Sequence, residues 1–168
     1  MPRNLEIKVK VPSLAPYRRR VEVLPGCWKE AVLRQADHYF SGARGYLKLR
    51  VVRGGVSELI AYERPKRKGA RQSRFLAWPV EDPDAALRVL TAAFGVEAVV
   101  RKTREVWLID DARIHLDRVA GLGTFVEIEV LMERAGRRSA GLMDDLRTYL
   151  QLPVETTPGS YRDLLRQP

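Results

Sequence analysis

The chain is expected to fold as α+β, with mostly antiparallel strands and three or four helices. Three observations predict this. Apolar and charged residues alternate without a break in Leu5-Glu6-Ile7-Lys8-Val9-Lys10-Val11, the period of a strand whose successive side chains point to opposite faces. The same alternation returns in Tyr46–Val51 and in Thr124–Val130, with glycine turns such as Gly54-Gly55 between strand-like runs. Helical stretches are few and carry their own start signals.

In chain order, Pro12-Ser13 ends the first strand, and Ser13 is the expected cap of a helix over about residues 14–24. Pro25-Gly26 turns the chain, and 31–40 reads as a strand. After a loop at 41–45, Leu47, Leu49 and Val51 share one face of a strand, and Tyr46, Lys48 and Arg50 share the other. Gly54-Gly55 leads into a strand at 57–64, where Ile60, Tyr62 and Arg64 lie together. A basic connection over 65–71 precedes a strand at 73–80. Asp82 suits a helix N-cap, Pro83 the first helical position and Gly95 the stop, which predicts a helix over 83–94. A long strand over 96–109 pairs Lys102 with Arg104 on one face. The Asp110-Asp111 turn leads to a strand that groups Arg113, His115 and Asp117. After Gly121-Leu122-Gly123, the next strand groups Glu127 with Glu129. The tail is helical over about 140–151, breaks at Pro153 and resumes from Ser160.

Length and composition bound the class. The 168 residues suit one domain, 1–168. The single cysteine, Cys27, excludes an internal disulfide framework and a cysteine-rich metal site. No apolar run approaches membrane-spanning length and no signal-peptide pattern opens the chain, so a cytoplasmic protein is the expectation. A net charge of +9 points to anionic company. Oligomeric state is left open, a homodimer being one arrangement.

The polar faces of the strands collect acids (Glu6, Asp117, Glu127, Glu129) and bases (Lys8, Lys10, Lys48, Arg50, Arg64, Lys102, Arg104). If the sheet curls on itself with its apolar faces under helices, these charges line a wet bore. Like charges gathered there repel unless something anionic and metal-bound fills the space. Carboxylates suit Mg²⁺ or Mn²⁺, and lysine and arginine suit phosphate oxygens. A triphosphate or polyphosphate small molecule is therefore the expected partner. Nucleic acid is not, because it would need a convex or grooved surface with few acids. His115 beside Asp117 has acid–base chemistry available, although a lone strand histidine is more often a hydrogen-bonded structural group.

These residues resemble the CYTH superfamily, the triphosphate tunnel metalloenzymes. The family's first-strand signature is Glu-x-Glu-x-Lys; here it reads Glu6-Ile7-Lys8-Val9-Lys10. The likeness continues in order through Gly45–Arg50, Tyr62–Pro65, Lys102-Thr103-Arg104, His115-Leu116-Asp117, Leu122–Glu129 and Ser160–Leu165. The resemblance implies an eight-stranded antiparallel closed β-barrel, a tunnel with helices packed outside. It implies that Glu6, Glu127 and Glu129 hold Mg²⁺ or Mn²⁺ with Asp117 nearby. It further implies that Lys10, Lys48, Arg50, Arg64, Lys102 and Arg104 clamp phosphates and that Tyr161 closes the tunnel mouth; a contact that docks the last helix is the alternative for Tyr161.

The expected activity is metal-dependent hydrolysis of a triphosphate-containing substrate: inorganic, nucleoside or thiamine triphosphate. Two alternatives stand beside it: an adenylate cyclase making cyclic AMP from ATP, and a non-catalytic polyphosphate- or nucleotide-binding module. Lys8 bears on the choice. It removes one carboxylate of the signature and adds a positive charge beside the metal face, which favours binding over activation of water.

Overall fold

The computed structural model describes residues 3–41, 46–63, 71–132 and 136–166, with the side chains of 3, 63, 71–74 and 136–139 left aside. Its elements are β1 (Arg3–Val11), α1 (Ala15–Val23), β2 (Trp28–Phe40), β3 (Tyr46–Val52), β4 (Ser57–Glu63), β5 (Arg71–Val80), α2 (Pro83–Phe94), β6 (Val96–Ile109), β7 (Ala112–Val119), β8 (Gly123–Leu131), α3 (Gly136–Leu150) and α4 (Tyr161–Leu165). The α+β expectation holds.

All strand pairings are antiparallel, in the order β1-β5-β4-β3-β2-β6-β7-β8, and β8 returns to β1. The curl is uneven. β1 meets β8 from Asn4 to Val11, but among the described residues it meets β5 only from Arg3 to Glu6. At Lys8 the backbone carbonyl accepts instead from the Thr157 N–H, at 2.7 Å. The expected closed barrel is therefore realised only in part. The sheet wraps as a half-open barrel, and the C-terminal segment borders β1 beyond its short seam with β5.

The apolar faces point outward, as the alternation of β1 requires. Ile7, Val9 and Val11 pack with Ile114, Leu116, Val126 and Ile128 under Tyr17 and Val21 of α1 and Met143, Leu146 and Leu150 of α3. This outer core leaves the charged faces inside. A second cluster lies within the curl at one end: Tyr39, Val100, Val119, Phe125 and Tyr161. It plugs the bore on the α4 side.

Several boundaries differ from expectation. Leu14, not Ser13, is the N-cap of α1 and makes no side-chain cap bond; the Ala15 N–H donates to Ser13 Oγ at 3.3 Å. Pro16 within the first turn has already removed one donor that a cap would serve. β2 starts at Trp28 and α3 at Gly136, both earlier than the sequence suggests. α2 forms as expected, with Asp82 Oδ1 accepting from the Ala85 N–H at 2.8 Å and Gly95 at φ 70° closing it.

Candidate active site

Inside the curl is a pouch of about 600 Å³, closed at one end by the Tyr161 cluster. Its walls differ in charge. On the β2–β3–β6 side, Lys48, Arg50 and Lys102 converge on one buried carboxylate, Asp37. Lys48 Nζ and Lys102 Nζ donate to Asp37 Oδ2 at 2.8 and 3.0 Å, and Arg50 Nε donates to Oδ1 at 2.8 Å. Three cations share one anion, so this wall keeps excess positive charge. Burial alone would raise Asp37, but Arg50, Lys102 and Lys48 together hold it well below the usual carboxylate range. Each lysine receives only a share of that carboxylate. Burial and the neighbouring Arg50 guanidinium push Lys48 down to about 7. Lys102 is pushed down to about 8, burial again being the largest cause, with Asp37 opposing it.

The β1–β7–β8 wall is acidic. Alternation along β8 turns Glu127 and Glu129 inward, and their pairing with Lys8 and Glu6 on β1 sets the four at neighbouring levels. Glu127 is the hub. Its Oε1 lies 2.9 Å from Lys8 Nζ, and its Oε2 accepts from Arg104 Nη2 at 2.7 Å and lies 3.2 Å from His115 Nδ1. Burial would raise Glu127, yet Lys8 and Arg104 pull it well below its ordinary value. Arg104 also forks onto Asp117, at 2.7 and 2.6 Å. The Tyr161 hydroxyl donates to Asp117 Oδ2 at 2.6 Å, and Lys8 Nζ sits 4.0 Å from the centre of the Tyr161 ring. Of the two roles open to Tyr161, these contacts show the docking one: they anchor α4 against the inner face of the sheet.

Of the residues singled out by sequence, Glu6, Lys8, Lys48, Arg50, Lys102, Arg104, Glu127 and Glu129 line the pouch. Asp117 is fully buried behind Arg104. Lys10 departs from expectation. It is exposed and opposite Phe125, a member of the plug, so it stands on the far side of the seal from the other cations. Arg64 lies outside the described residues. Sequence reasoning missed Asp37. Its inward neighbours on β2 are Gln35 and Tyr39, and a hidden alternation of Gln35, Asp37 and Tyr39 against Arg34, Ala36 and His38 was the available signal.

A model of the CYTH domain matches residues 2–150. The chain belongs to the CYTH family. Among solved structures, this CYTH chain is similar to the PH1012 protein of Pyrococcus horikoshii OT3, at 25% identity and a TM-score of 0.85, over 96% of this chain and 98% of that one. A conserved hypothetical protein from Pyrococcus furiosus matches at 22% identity and a TM-score of 0.84, over 96% of this chain and 99% of that one. The Hippeastrum protein HpAC1, described as having a dominant triphosphatase activity, matches at 16% identity and a TM-score of 0.74, over 99% of this chain and 95% of that one. Likeness at the two lower identities speaks to the fold. A comparison with curated proteins gives no match. Among the described residues, no helix of the CYTH chain is long and apolar enough to cross a membrane.

The donor set of this CYTH chain fits one divalent ion. Ligand atoms of His115, Glu127 and Glu129 lie within 4.8 Å of one another, and Glu6 is the cross-strand partner of Glu129. A second ion fits less well. The ammonium of Lys8, where the family signature has a carboxylate, already holds Glu127 Oε1.

Proposed function

We propose that the chain binds the triphosphate group of a small molecule in the pouch and hydrolyses it with the help of Mg²⁺ or Mn²⁺. The observation that carries this reading is the polarity of the pouch: a cation-rich wall of Lys48, Arg50 and Lys102 across from an acidic wall of Glu6, Glu127 and Glu129. A metal-bound polyphosphate is negative toward the first wall and positive toward the second. Arg50 and Arg104 offer planar donor forks for phosphate oxygens. Glu129, Glu6 and His115, with Glu127, would hold the ion. Bound there, a divalent ion supplies Lewis-acid polarisation of phosphoryl oxygens. Lys48, Arg50 and Lys102 orient the chain and offset the charge that develops as water attacks a phosphorus and the anhydride P–O bond breaks. A full tunnel around the substrate completes this reading.

Binding without turnover is the second reading, and one contact favours it: Lys8 on Glu127 at 2.9 Å. Phosphate release from inorganic triphosphate, with Mg²⁺, with Mn²⁺ and with chelator, separates the two. Metal-dependent release is expected, lost in Glu129→Ala while the circular dichroism spectrum is kept. Unchanged release in that variant would sink the metal assignment. Arg50→Ala is expected to weaken triphosphate binding more than metal binding; the reverse order would contradict the clamp.

The lysines also predict a pH dependence. In the free protein Lys48 loses its proton near pH 7 and Lys102 near 8. A bound polyanion favours the charged forms, so binding takes up protons and affinity falls as pH rises through that window. Calorimetry in buffers of different ionisation enthalpy should register the uptake. Affinity that is flat or rising over the same window would show that these ammonium groups do not meet the ligand.

A further inference from the structure

The charges of the pouch are largely matched among themselves, so the excess of +9 resides elsewhere. Part of it is gathered on the outer face of the sheet. Arg34 on β2, Thr103 on β6 and Arg118 on β7 are successive cross-strand partners. The Arg53 backbone N–H donates to the Arg34 carbonyl at 3.0 Å, which extends the row past the end of β3. Arg101 lies two residues from Thr103 on the same face of β6, opposite Ala36. Their strand neighbours Gln35 and Lys102 turn inward to the pouch, so alternation sends the arginines outward. All four arginines and Thr103 are exposed. They surround a shallow depression of about 580 Å³ floored by Ala36, Val51 and Ala120.

What marks this row is that four arginines lie together around one depression without counter-charge. Among the described residues, no side-chain hydrogen bond or ion pair engages Arg34, Arg53, Arg101 or Arg118. Other arginines are occupied: Arg18 holds Glu105, Arg162 holds Glu97, and Arg147 caps the carbonyls of Pro153 and Val154. Glu105, the next outward residue after Thr103 on β6, is already shared by Arg18 and Lys29. No carboxylate lines the depression.

We propose that this outer face binds the phosphodiester backbone of a nucleic acid. With strands about 4.8 Å apart, the row from Arg53 to Arg118 runs roughly 14 Å, too long for one phosphate and suited to several. Guanidinium groups set on separate strands match phosphates that are separated by sugars. The floor is small and aliphatic, with no aromatic ring for base stacking, so recognition is through the backbone and independent of sequence. The surface is outward-facing and free of acids, which the bore is not. The proposal stands apart from the reading of the pouch, because it uses none of the pouch residues.

The test is fluorescence anisotropy with a labelled single-stranded oligonucleotide carrying a 5′-hydroxyl end, titrated with the full-length protein at several salt concentrations. Neutralising three or four phosphates predicts a slope of log K against log salt of about −2 to −3. Arg34→Glu/Arg118→Glu is expected to weaken binding at least tenfold while keeping the unmodified protein's circular dichroism spectrum and melting temperature, which report that the fold is intact. Arg34→Gln/Arg118→Gln should give a smaller loss in the same direction. Arg50→Ala, in the pouch, should bind the oligonucleotide as before. No salt-dependent binding by the unmodified protein would overturn the proposal. So would equal binding by the double variants, or loss of binding in Arg50→Ala alone, which would mean that the strand enters the pouch.

Discussion

Asp37→Asn is expected to destabilise the protein by about 3–5 kcal/mol, the range for removing one partner from a buried ion cluster. The side chain keeps its size and loses its charge. Lys48, Arg50 and Lys102 now donate to Asp37 at 2.8–3.1 Å; in the variant they face one another with no anion between them. Two consequences follow from the same physics. An added polyanion should restore stability, because anything that binds only the folded state stabilises it by mass action; the gain with inorganic triphosphate should exceed that of the parent. Stability should also recover as pH rises. Lys48 and Lys102 already have depressed values in the parent, and losing Asp37 depresses them further. A group that binds fewer protons folded than unfolded makes stability increase with pH. Urea unfolding at pH 7 and pH 9, with and without triphosphate, checks all three points. A loss below about 1 kcal/mol, the scale of a solvent-exposed pair, would show that water reaches these cations and that Asp37 is not their organising anion.

Lys8→Glu carries the second large effect. It restores the family's Glu-x-Glu-x-Lys signature and places a carboxylate where an ammonium now holds Glu127 Oε1 at 2.9 Å. Without metal, acids of β1 and β8 meet with one fewer cation between them, and a loss of about 3–5 kcal/mol is expected. With Mn²⁺ the sign reverses: the added carboxylate becomes a ligand, and the rise in melting temperature on adding Mn²⁺ should be larger than in the parent. Calorimetric stoichiometry is expected to move from one ion toward two. Lys8→Met is the control, since it removes the positive charge without adding a ligand. It should lose stability without gaining a second ion. If Lys8→Glu responds to Mn²⁺ as the parent does, the ammonium is not standing in the place of a metal, and the binding-only reading loses the contact that favours it.

The site was legible where alternation was strict. On β1, β3 and β8 the apolar residues form one clean face, so the charged residues of the other face could be named from sequence, and all but Lys10 meet in the pouch. On β2 and β6 both faces carry polar and apolar residues, and no stripe separates inside from outside. Lys10 shows the opposite limit. It shares the inward parity of Glu6 and Lys8, but parity says nothing about where along the bore a side chain stands. Phe125 and the Tyr161 ring come between Lys10 and the pouch, and Tyr161 arrives from the far end of the chain.

By itself, then, the sequence determined an antiparallel α+β fold, the direction of each apolar face and the family, because these depend on local periodicity and on ordered short motifs. Tertiary structure alone decided which charges touch. Lys102 reaches Asp37 across 65 positions, and the Tyr161 hydroxyl reaches Asp117 across 44. Such partners depend on strand order, register and curl, which are set by packing of the whole outer core. The same packing decided that Lys8 spends its charge on Glu127, that the seam beside β1 is shared with the C-terminal segment, and that four arginines stand together outside with no acid among the described residues to meet them.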